Sequence, residues 1–322
     1  MPTTNLLAGK TAIITGGTTG IGRGITLAFL VQGCNVAVNH LGLEKDRPHL
    51  ASLIAEAEAL LAAHQSSPGV TIGRLAHLPG DIRDPSTATA LVSFALTAFD
   101  DRSDDDQNPN TTAHTLRNTN NANNNNTNTT TTPNNTENNN NNTTPKRRRL
   151  DICVSNAGIC TFATFLDLDH ALYENTIQTN LNGTFYLVQA AARQMALHNS
   201  PPGGSIIGIS SISALVGGGL QTHYTPTKAG ITSLMQSTAV ALGRYNIRCN
   251  ALLPGTVSTQ LNEEDLQDEG KRAYMQGRIP LGRIGRPEDL GGPAVFLACE
   301  ELSSYVTGAQ LLVDGGLFVN LQ

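Results

Sequence analysis

The chain has 322 residues, no Trp, and a formal net charge of −5 from 21 Lys and Arg against 26 Asp and Glu. This balance argues against a strongly basic protein that binds nucleic acid. The cysteines occur singly, without a CxxC pair or a metal-ligand spacing, which favours reduced thiols. The sequence shows no basic-then-apolar leader and no long apolar run. We therefore expect a soluble, cytoplasmic protein that does not insert into a membrane.

One segment differs from the rest in composition. Every residue from Asn118 to Thr132 except Ala122 is Asn or Thr. Such a tract has almost nothing to bury and cannot offset the entropy cost of ordering, so we expect residues 101–149 to form a disordered loop. The remainder is long enough for one well-buried α/β core. We predict a single domain over residues 1–322 that this insert interrupts.

Short apolar, β-branched runs alternate with longer helical patterns. The runs predict strands at Thr11–Thr15, Val36–Asn39, Leu75–Leu78, Ile152–Ser155, Ser205–Ser210, Ile247–Leu253 and Gln310–Val313. The helical patterns predict helices at Ile21–Gln32, Pro48–Gln65, Ser86–Phe99, Ala171–His198, Thr222–Tyr245 and Pro287–Cys299. Alternating strands and helices specify a parallel sheet covered on both faces. The predicted fold class is therefore α/β, a Rossmann-type, doubly wound parallel sheet of about seven strands in a three-layer αβα arrangement.

The insert falls between the third predicted helix and the fourth predicted strand. In a parallel sheet such connections lie at the amino edge of the strands, whereas ligands bind at the carboxyl edge. We therefore expect the insert to hang away from the functional site. Lys146 to Arg149, at its end, could form a nuclear-localisation patch or could simply solubilise the tract and lead into the strand.

A glycine-rich turn, Thr15-Gly16-Gly17-Thr18-Thr19-Gly20-Ile21-Gly22, follows the first predicted strand and opens the first predicted helix. Glycines there let the backbone approach a pyrophosphate, whose charge then faces the amino end of a helix. A plain structural turn is the alternative, but the strand before and the helix after favour a dinucleotide site. The expected cofactor contacts in this turn are Gly16, Thr18, Gly20, Ile21 and Gly22.

Three later loops follow predicted strands and also suit a dinucleotide. A carboxylate after the third strand can accept a hydrogen bond from an adenine amino group, small residues after the fourth let the cofactor approach, and amides and hydroxyls after the sixth suit a carboxamide or phosphate. Each loop alone could be ordinary turn chemistry, but together they occupy the ligand-binding edge. The residues concerned are Asp81 and Ile82, then Asn156, Ala157 and Gly158, then Gly255, Val257 and Thr259.

The end of the second predicted strand bears on the choice of cofactor. It reads Val38-Asn39-His40-Leu41-Gly42, without a carboxylate or an Arg. In this fold an acid there favours the 2′-hydroxyl of the adenosine ribose, and a basic residue favours a 2′-phosphate. His40 could be a neutral hydrogen-bond donor or a partial cation near its pKa of about 6.5, and Thr19 in the glycine turn is uncharged. We expect NAD as the cofactor, with NADP tolerated.

The segment Tyr224-Thr225-Pro226-Thr227-Lys228 places a phenol and an ammonium on one face of a helix. A tyrosine that acts as a base near pH 7 needs its pKa lowered by about three units, roughly 4 kcal/mol. A Lys cation and the positive nicotinamide of an oxidised cofactor both act in that direction. The spacing alone usually marks a solvated helical pair, but here Ser210-Ser211 ends the preceding strand and Asn180 lies on the preceding helix. Because Pro226 is tolerated only in a first turn, it predicts that Tyr224 lies at the helix start.

With these residues, the chain resembles the short-chain dehydrogenase/reductase family everywhere except the insert. The resemblance rests on the TGxxxGIG turn, Asn156-Ala157-Gly158, Asn180, Ser211 and the YxxxK motif. It implies that Tyr224 is the general acid/base and that Ser211 holds the substrate oxygen. It further implies that Lys228 binds the nicotinamide ribose and lowers the tyrosine pKa, and that Asn180 anchors a water that relays the proton. It implies no metal.

Longer runs outside the catalytic motif resemble a branch of the family that acts on sugars. They are Gly204–Gly217, Gln221–Gly230, Leu261–Leu266, Gly277–Gly282 and Gln310–Gln322. This resemblance implies hydride transfer from C1 of an aldose, with L-rhamnose the expected sugar, to NAD(P) and a lactone product. The family resemblance also implies a homotetramer, and the tail Phe318–Gln322 suits a subunit contact.

Two alternatives stay open at this point. One is another short-chain enzyme, of the 3-oxoacyl reductase or glucose dehydrogenase type. The other is a non-catalytic, nucleotide-sensing regulator with the Asn/Thr tract as its interaction arm. The complete set of Asn180, Ser211, Tyr224 and Lys228 argues for an enzyme.

A sugar needs several polar groups near the catalytic tyrosine. Ser211, Ser213 and Gln221 are close to Tyr224 in sequence and are the expected substrate-binding residues. His223 fits the same reading or a solvated loop. Residues 260–277 are charged and helix-prone, which suits a mobile lid over the substrate or a surface helix.

Overall fold

The computed structural model describes residues 5–64, 69–99 and 149–320. The strands in these residues are β1 (Thr11–Thr15), β2 (Asn35–His40), β3 (Leu75–Pro79), β4 (Ile152–Ser155), β5 (Gly204–Ile209), β6 (Ile247–Pro254) and β7 (Gln310–Val313). The α-helices are α1 (Gly20–Val31), α2 (Arg47–His64), α3 (Pro85–Ala98), α4 (His170–Thr176), α5 (Gly183–Arg193), α6 (Thr225–Leu242), α7 (Glu263–Gln267), α8 (Glu269–Arg278), α9 (Gly291–Ala298) and α10 (Glu300–Ser303). The predicted insert lies outside the described residues except for Arg149.

The strands form one sheet in the order β3-β2-β1-β4-β5-β6-β7. All of its pairings are parallel, as between Thr11 and Asn35 on β1 and β2. Parallel neighbours need crossover connections, and here helices supply them. The predicted doubly wound α/β fold is confirmed. The strand order reverses between β1 and β4, which is the position where ligands bind in such sheets.

The sheet is buried on both faces. On one face Ile25 and Phe29 of α1 and Leu297 of α9 pack against it, in a cluster of fully buried apolar side chains. On the other face Leu91 of α3 and Leu187 of α5 belong to a second such cluster. Each fully buried side chain of this size contributes ~1.5–3 kcal/mol. This double burial explains why the strands read as continuous apolar runs.

The predicted helix Ala171–His198 is interrupted in the structure. Between α4 and α5 the chain forms a π-helical segment, Ile177–Asn182, and α5 ends in a second one, Gln194–His198. Helix-forming side chains do not distinguish the two hydrogen-bonding patterns, so the residue pattern predicts one continuous helix. Short π segments in helices often occur at functional sites, and the first one contains Asn180.

The helix that carries the tyrosine and lysine begins later than Thr222, the predicted start. It starts at Thr225, with Tyr224 as the N-cap residue and Pro226 in the first turn. The Gln221 carbonyl accepts hydrogen bonds from the backbone N–H groups of Tyr224 and Thr225, each at 2.9 Å. The prediction that Tyr224 lies at the helix start is confirmed. Pro226 is tolerated in the first turn because the backbone N–H that proline lacks has no partner within the helix there.

The described residues on either side of the insert lie at the amino edge of the sheet. Arg74, just before β3, donates to the carbonyl of Phe99 at 2.6 Å. Arg149 donates to Asp151 Oδ1 at 3.1 Å, and Asp151 Oδ2 accepts from the Thr11 amide at 3.0 Å. Both flanks are therefore tied to the starts of strands, as expected. No helix among the described residues is long and apolar enough to cross a membrane.

The backbone of α1 lies very close to the backbone of the turn that leads into α9. A Cβ atom on Gly24 would lie 2.4 Å from the carbonyl oxygen of Pro287, a backbone atom that cannot swing away. Gly277, on α8, offers a comparison, since a Cβ there would meet nothing within 4 Å.

We predict that Gly24→Ala lowers the free energy of unfolding by ~1–3 kcal/mol, because the added methyl must push α1 away from its neighbour. The matched change Gly277→Ala should leave it unchanged or raise it by up to ~1 kcal/mol, since alanine favours a helix. Urea unfolding of the two variants measures both values. Equal effects at the two positions would contradict this account of the packing.

Candidate active site

A cavity of about 820 Å³ opens at the carboxyl edge of the sheet. It extends from the glycine turn after β1 to the start of α6. Most of the predicted site residues lie in its wall: Gly16, Gly20, Ile21, Asn156, Ala157, Gly158, Ser211, Ser213, Gln221, Tyr224, Lys228, Gly255, Val257 and Thr259. The fold thus brings together residues that lie more than two hundred positions apart in the chain.

Six predicted residues lie outside the wall of this cavity. They are Thr18, Gly22, His40, Asp81, Ile82 and Asn180. Thr18 and Asn180 are buried, and Gly22 packs under the turn, where a Cβ would lie 2.2 Å from the Gly16 carbonyl oxygen. The proposed roles of these six residues, like those of the residues in the wall, stay predictions.

The glycine turn fits the phosphates of a dinucleotide. Gly16 and Gly20 have φ angles of 61° and 51°, which residues with a side chain rarely adopt. The N-cap residue of α1, Thr19, makes no side-chain cap, and the first turn contains no acidic residue. The amino end of a twelve-residue helix therefore keeps its amides and its positive dipole for an anion in the cavity. Asn156 Nδ2 holds the turn by donating to the carbonyls of Thr15 and Gly16 at 3.0 and 3.1 Å.

His40 pairs with a second histidine on the neighbouring strand. Its Nε2 lies 3.2 Å from His77 Nδ1. Burial, together with His77, lowers the pKa of His40, while Asp46 opposes the shift. A lowered pKa leaves the ring neutral at pH 7, which favours the reading of His40 as a neutral hydrogen-bonding residue.

The Asp81 carboxylate is already engaged by a neighbour. Arg83 Nε lies 3.0 and 2.9 Å from its two oxygens, and the Arg83 amide donates to Oδ1 at 2.9 Å. These hydrogen bonds lower the pKa of Asp81. The carboxylate thus stays ionised, with spare lone pairs for a further donor.

Tyr224, Lys228 and Ser211 meet where β5 ends and α6 begins. Lys228 Nζ donates to the Ile209 carbonyl at 2.9 Å and lies 5.5 Å from the centroid of the Tyr224 ring. Ser211 Oγ accepts the Ser213 amide at 3.1 Å, so its own proton remains available to Tyr224 or to a ligand oxygen. The helical spacing read from the sequence has therefore placed the phenol and the amine side by side.

Burial shifts the pKa of both Tyr224 and Lys228. Burial, reinforced by the nearby Cys160 thiol, raises the pKa of Tyr224 above its usual value, and the hydrogen bond with Ser211 only partly offsets this. Burial also lowers the pKa of Lys228 to about 8. From the sequence we expect Lys228 and the positive nicotinamide together to make the tyrosine more acidic, and this stays a prediction. A phenolate here needs further positive charge beside it.

The Asn180 side chain ties the loop after β4 to α6. Its Oδ1 accepts from the Ile159 amide at 2.8 Å, and its Nδ2 donates to the Ile159 carbonyl at 2.9 Å and to Thr227 Oγ1 at 3.2 Å. With these contacts it locks the wall behind Tyr224. The predicted role of Asn180 as the anchor of a water stays a prediction.

Several residues of the cavity wall were not identified by the sequence argument. They include Thr19, Cys160, Phe162, Leu261, Met275, Arg278, Leu317 and Phe318. The position of Cys160 beside Asn156-Ala157-Gly158 could have indicated it, whereas the apolar residues carry no chemical signal. Residues 260–277, predicted as a lid or a surface helix, form α7 and α8, and Leu266 and Met275 from them reach the wall.

The sequence left two interpretations of His223 open, a substrate-binding residue or part of a solvated loop. Its side chain is fully buried, and it does not lie in the wall of the cavity. The solvated-loop alternative is therefore wrong, and a role of His223 near the substrate stays a prediction.

A glycine-bounded dinucleotide cavity with a Tyr-x-x-x-Lys pair and a serine at its far end defines a class of protein, the short-chain dehydrogenases/reductases. A family model described as enoyl-(acyl carrier protein) reductase matches residues 129–318, more than half of the chain. The chain is also similar to a solved structure titled a putative short-chain alcohol dehydrogenase, from Sinorhizobium meliloti, with a TM-score of 0.73, 27% identity and 98% of each chain covered.

Curated relatives are similar over the whole length. The chain is 47% identical over 319 residues to L-rhamnose-1-dehydrogenase of Scheffersomyces stipitis, which covers 99% of this chain and 100% of that protein. It is 44% identical over 317 residues to L-rhamnose 1-dehydrogenase (NAD(P)(+)) of a Sphingomonas species, which covers 98% of this chain and 99% of that protein. The chain belongs to the short-chain dehydrogenase/reductase family.

The buried amine gives a prediction about stability. In the unfolded chain Lys228 has its ordinary pKa of 10.5, against about 8 in the fold. Between these two pH values the unfolded chain binds more protons, so the free energy of unfolding should rise with pH. Relative to Lys228→Met, we expect the wild type to gain roughly 3 kcal/mol over this window.

Urea unfolding of both proteins at several pH values between 7 and about 10.5 measures the difference. Tyr224 and all other titrating groups are common to both proteins and largely cancel. A difference that does not change with pH would show that the amine is not desolvated in the fold.

Proposed function

We propose that the protein oxidises C1 of an aldose, L-rhamnose, to the corresponding lactone and transfers the hydride to NAD, with NADP also accepted. The observation that carries this proposal is the meeting of Tyr224, Lys228 and Ser211 in the same cavity as the glycine turn. The similarity over the whole length to L-rhamnose 1-dehydrogenases supports the choice of sugar.

The cofactor fits the cavity in two regions. The glycine turn and the amino end of α1 would hold the pyrophosphate, for the reasons of charge and close approach given above. Lys228 and Asn156 would hold the nicotinamide ribose, and Val257 and Thr259 the carboxamide. When bound, the oxidised nicotinamide supplies a hydride acceptor and a positive charge. The neutral state of His40 at pH 7 supports a 2′-hydroxyl partner and hence NAD.

Tyr224 removes the proton of the C1 hydroxyl in this mechanism. Its phenolate is stabilised by the Lys228 ammonium, which the Ile209 carbonyl fixes at 2.9 Å. Ser211 donates its hydroxyl proton to the substrate oxygen, because its own Oγ already accepts the Ser213 amide. The protein thus fixes the substrate oxygen between a base and a donor before the hydride leaves C1.

The wall around Tyr224 suits a small polyol. Ser211, Ser213, Cys160 and Gln221 bring polar groups to this end of the cavity, where ring hydroxyls need partners. Phe162 and other apolar residues border the same region, as an acyl chain would also require. The rival function is therefore 3-oxoacyl reduction, with glucose oxidation as a variant of the sugar function.

A regulator without catalysis would have no need to bury an amine at a cost to stability. The burial of Lys228 beside Tyr224 supports an enzyme over that alternative. We further propose that the enzyme is a cytoplasmic homotetramer that binds neither nucleic acid nor membrane. Exposed apolar residues such as Val240 on α6 and Val319 in the C-terminal tail support subunit contacts.

We predict that the purified protein reduces NAD with L-rhamnose at a higher kcat/KM than with L-lyxose, L-mannose or D-glucose. Absorbance of the reduced cofactor measures the initial rates, with NAD and NADP in turn. Acetoacetyl thioesters with reduced cofactor test the acyl alternative. Turnover of thioesters but not of any aldose would reject the proposal and select the reductase.

We predict that Tyr224→Phe lowers kcat by ~10²–10⁴-fold, the usual contribution of a general base. The dissociation constant of NADH should change by less than about twofold, because the phenol is not needed to hold the phosphates. Tyr245→Phe, a tyrosine stacked on Arg244 away from the cavity, is the matched control. A Tyr224 variant with wild-type kcat would remove this residue from the mechanism.

A further inference from the structure

Cys160 is unlike the other cysteines of the chain. Cys34, Cys153, Cys249 and Cys299 are buried in the fold, whereas Cys160 is half-buried and lies in the wall of the active-site cavity. Its thiol is close enough to Tyr224 and to Lys228 to influence the pKa of each. The mechanism above does not use it.

Among the described residues, the thiol has one hydrogen-bond partner. Gln221 Nε2 donates to Cys160 Sγ at 3.3 Å, which is a normal distance for a hydrogen bond to sulfur. The other end of the amide, Oε1, lies beside Gly218, where a Cβ would come within 2.5 Å of it. The missing side chain at Gly218 therefore leaves space for this one orientation of the Gln221 carboxamide.

Gln221 also connects this contact to the catalytic tyrosine. Its backbone carbonyl accepts the amides of Tyr224 and Thr225 at 2.9 Å, and its own amide donates to the Gly218 carbonyl at 3.0 Å. The loop of Gln221 is tied to the loop of Cys160 a second time, since the Ala163 amide donates to the Leu220 carbonyl at 3.0 Å. Cys160, Gln221 and Tyr224 thus form one connected part of the wall.

We propose that Cys160 is a positioning residue for the substrate: its thiol holds the Gln221 carboxamide so that the second amide hydrogen points at a hydroxyl of the sugar beside the reacting carbon. An amide has two N–H donors, and one remains for a ligand when the other is bound to sulfur. This role rests on the proposed function, because it supposes a polyol in this half of the cavity.

The chemistry of sulfur suits this position. Burial raises the pKa of the Cys160 thiol, against the opposing effects of Gln221 and Lys228, so the group is neutral at pH 7. A carboxylate in its place would orient the amide equally well, but its charge would raise the pKa of Tyr224 and oppose formation of the phenolate. A thiol that is neutral at pH 7 orients Gln221 at a smaller penalty, although it too raises the pKa of Tyr224.

The test is a double-mutant cycle on the whole enzyme. Cys160→Ala and Gln221→Met, which keeps the volume of the side chain, should each raise KM for L-rhamnose about tenfold, the equivalent of one lost hydrogen bond. The double variant should be no worse than Gln221→Met alone, because both changes remove the same contact. Cys160→Ser should restore most of the loss, since its hydroxyl can also accept the amide.

The same variants should keep kcat within about twofold and bind NADH normally, because the groups that move the proton are untouched. Gln310→Ala, at an exposed position where β7 begins, is the control for a general effect of losing a glutamine. Multiplied effects in the double variant, an unchanged KM in Cys160→Ala, or a Cys160→Ser variant as poor as Cys160→Ala would each overturn the proposal.

A second readout does not depend on the substrate. The rate at which iodoacetamide alkylates Cys160 follows the thiolate fraction, and the rate against pH gives its midpoint. Since the Gln221 amide lowers the pKa of this thiol, Gln221→Met should shift the midpoint upwards. A shift with no oxidation of any aldose would retain the contact and reject the proposed function, whereas an unshifted midpoint would reject the contact itself.

Discussion

The active site depends on the hydrogen bond that the buried amine of Lys228 donates at the end of β5. Its Nζ donates to the carbonyl of Ile209, the last residue of β5, and this fixes the start of α6 over the end of that strand. A buried ammonium needs such acceptors, and without them it would lose its proton or draw in water. The lowered pKa of Lys228 shows that the contact only partly replaces hydration. The fold therefore accepts a cost to stability in order to hold a cation beside Tyr224.

The position of that cation is reinforced from two sides. Ser210 Oγ lies 2.7 Å from the Lys228 carbonyl and 2.9 Å from Thr232 Oγ1, which joins the end of β5 to the body of α6. Asn180 joins the loop after β4 to the first turn of the same helix through Ile159 and Thr227. Both contacts join α6 to neighbouring elements, and packed helices and strands hold side chains more accurately than loops do. These hydrogen bonds hold Lys228 and the first turns of α6 in place beside Tyr224.

The electrostatics of this arrangement are unfavourable for a base in isolation. Burial raises the pKa of Tyr224, and the neighbouring thiol adds to the effect. A positive charge that arrives with an oxidised dinucleotide acts in the opposite direction. The phenol would then be a competent base only in the complex that has a hydride acceptor, and it would hold its proton more tightly once that charge is neutralised. Such coupling between the two halves of the cavity follows from charge and burial alone.

The strands could be read from the sequence with little error. Each strand of a fully covered parallel sheet must be apolar on both sides, so runs such as Thr11–Thr15 and Ile152–Ser155 stand out, and both have the predicted bounds. The start of α6 was accessible only through Pro226, which predicts that Tyr224 lies at the helix start, whereas the helical pattern placed the start too early, at Thr222. The π segment at Ile177–Asn182 was not, because it depends on how neighbouring elements pack and not on local preference.

For the site, the sequence by itself determined which groups are the candidates for the chemistry, because a phenol, an amine, a hydroxyl and a glycine turn are defined by residue type and spacing. Tertiary structure decided their acidity and their partners. The contact between Cys160 and Gln221 joins residues whose separation along the chain gives no hint of it. The raised pKa of Tyr224 likewise follows from a burial that the sequence does not reveal. Burial and hydrogen bonding are properties of the packed molecule, and they exist only once the sheet has brought the ends of its strands to one edge.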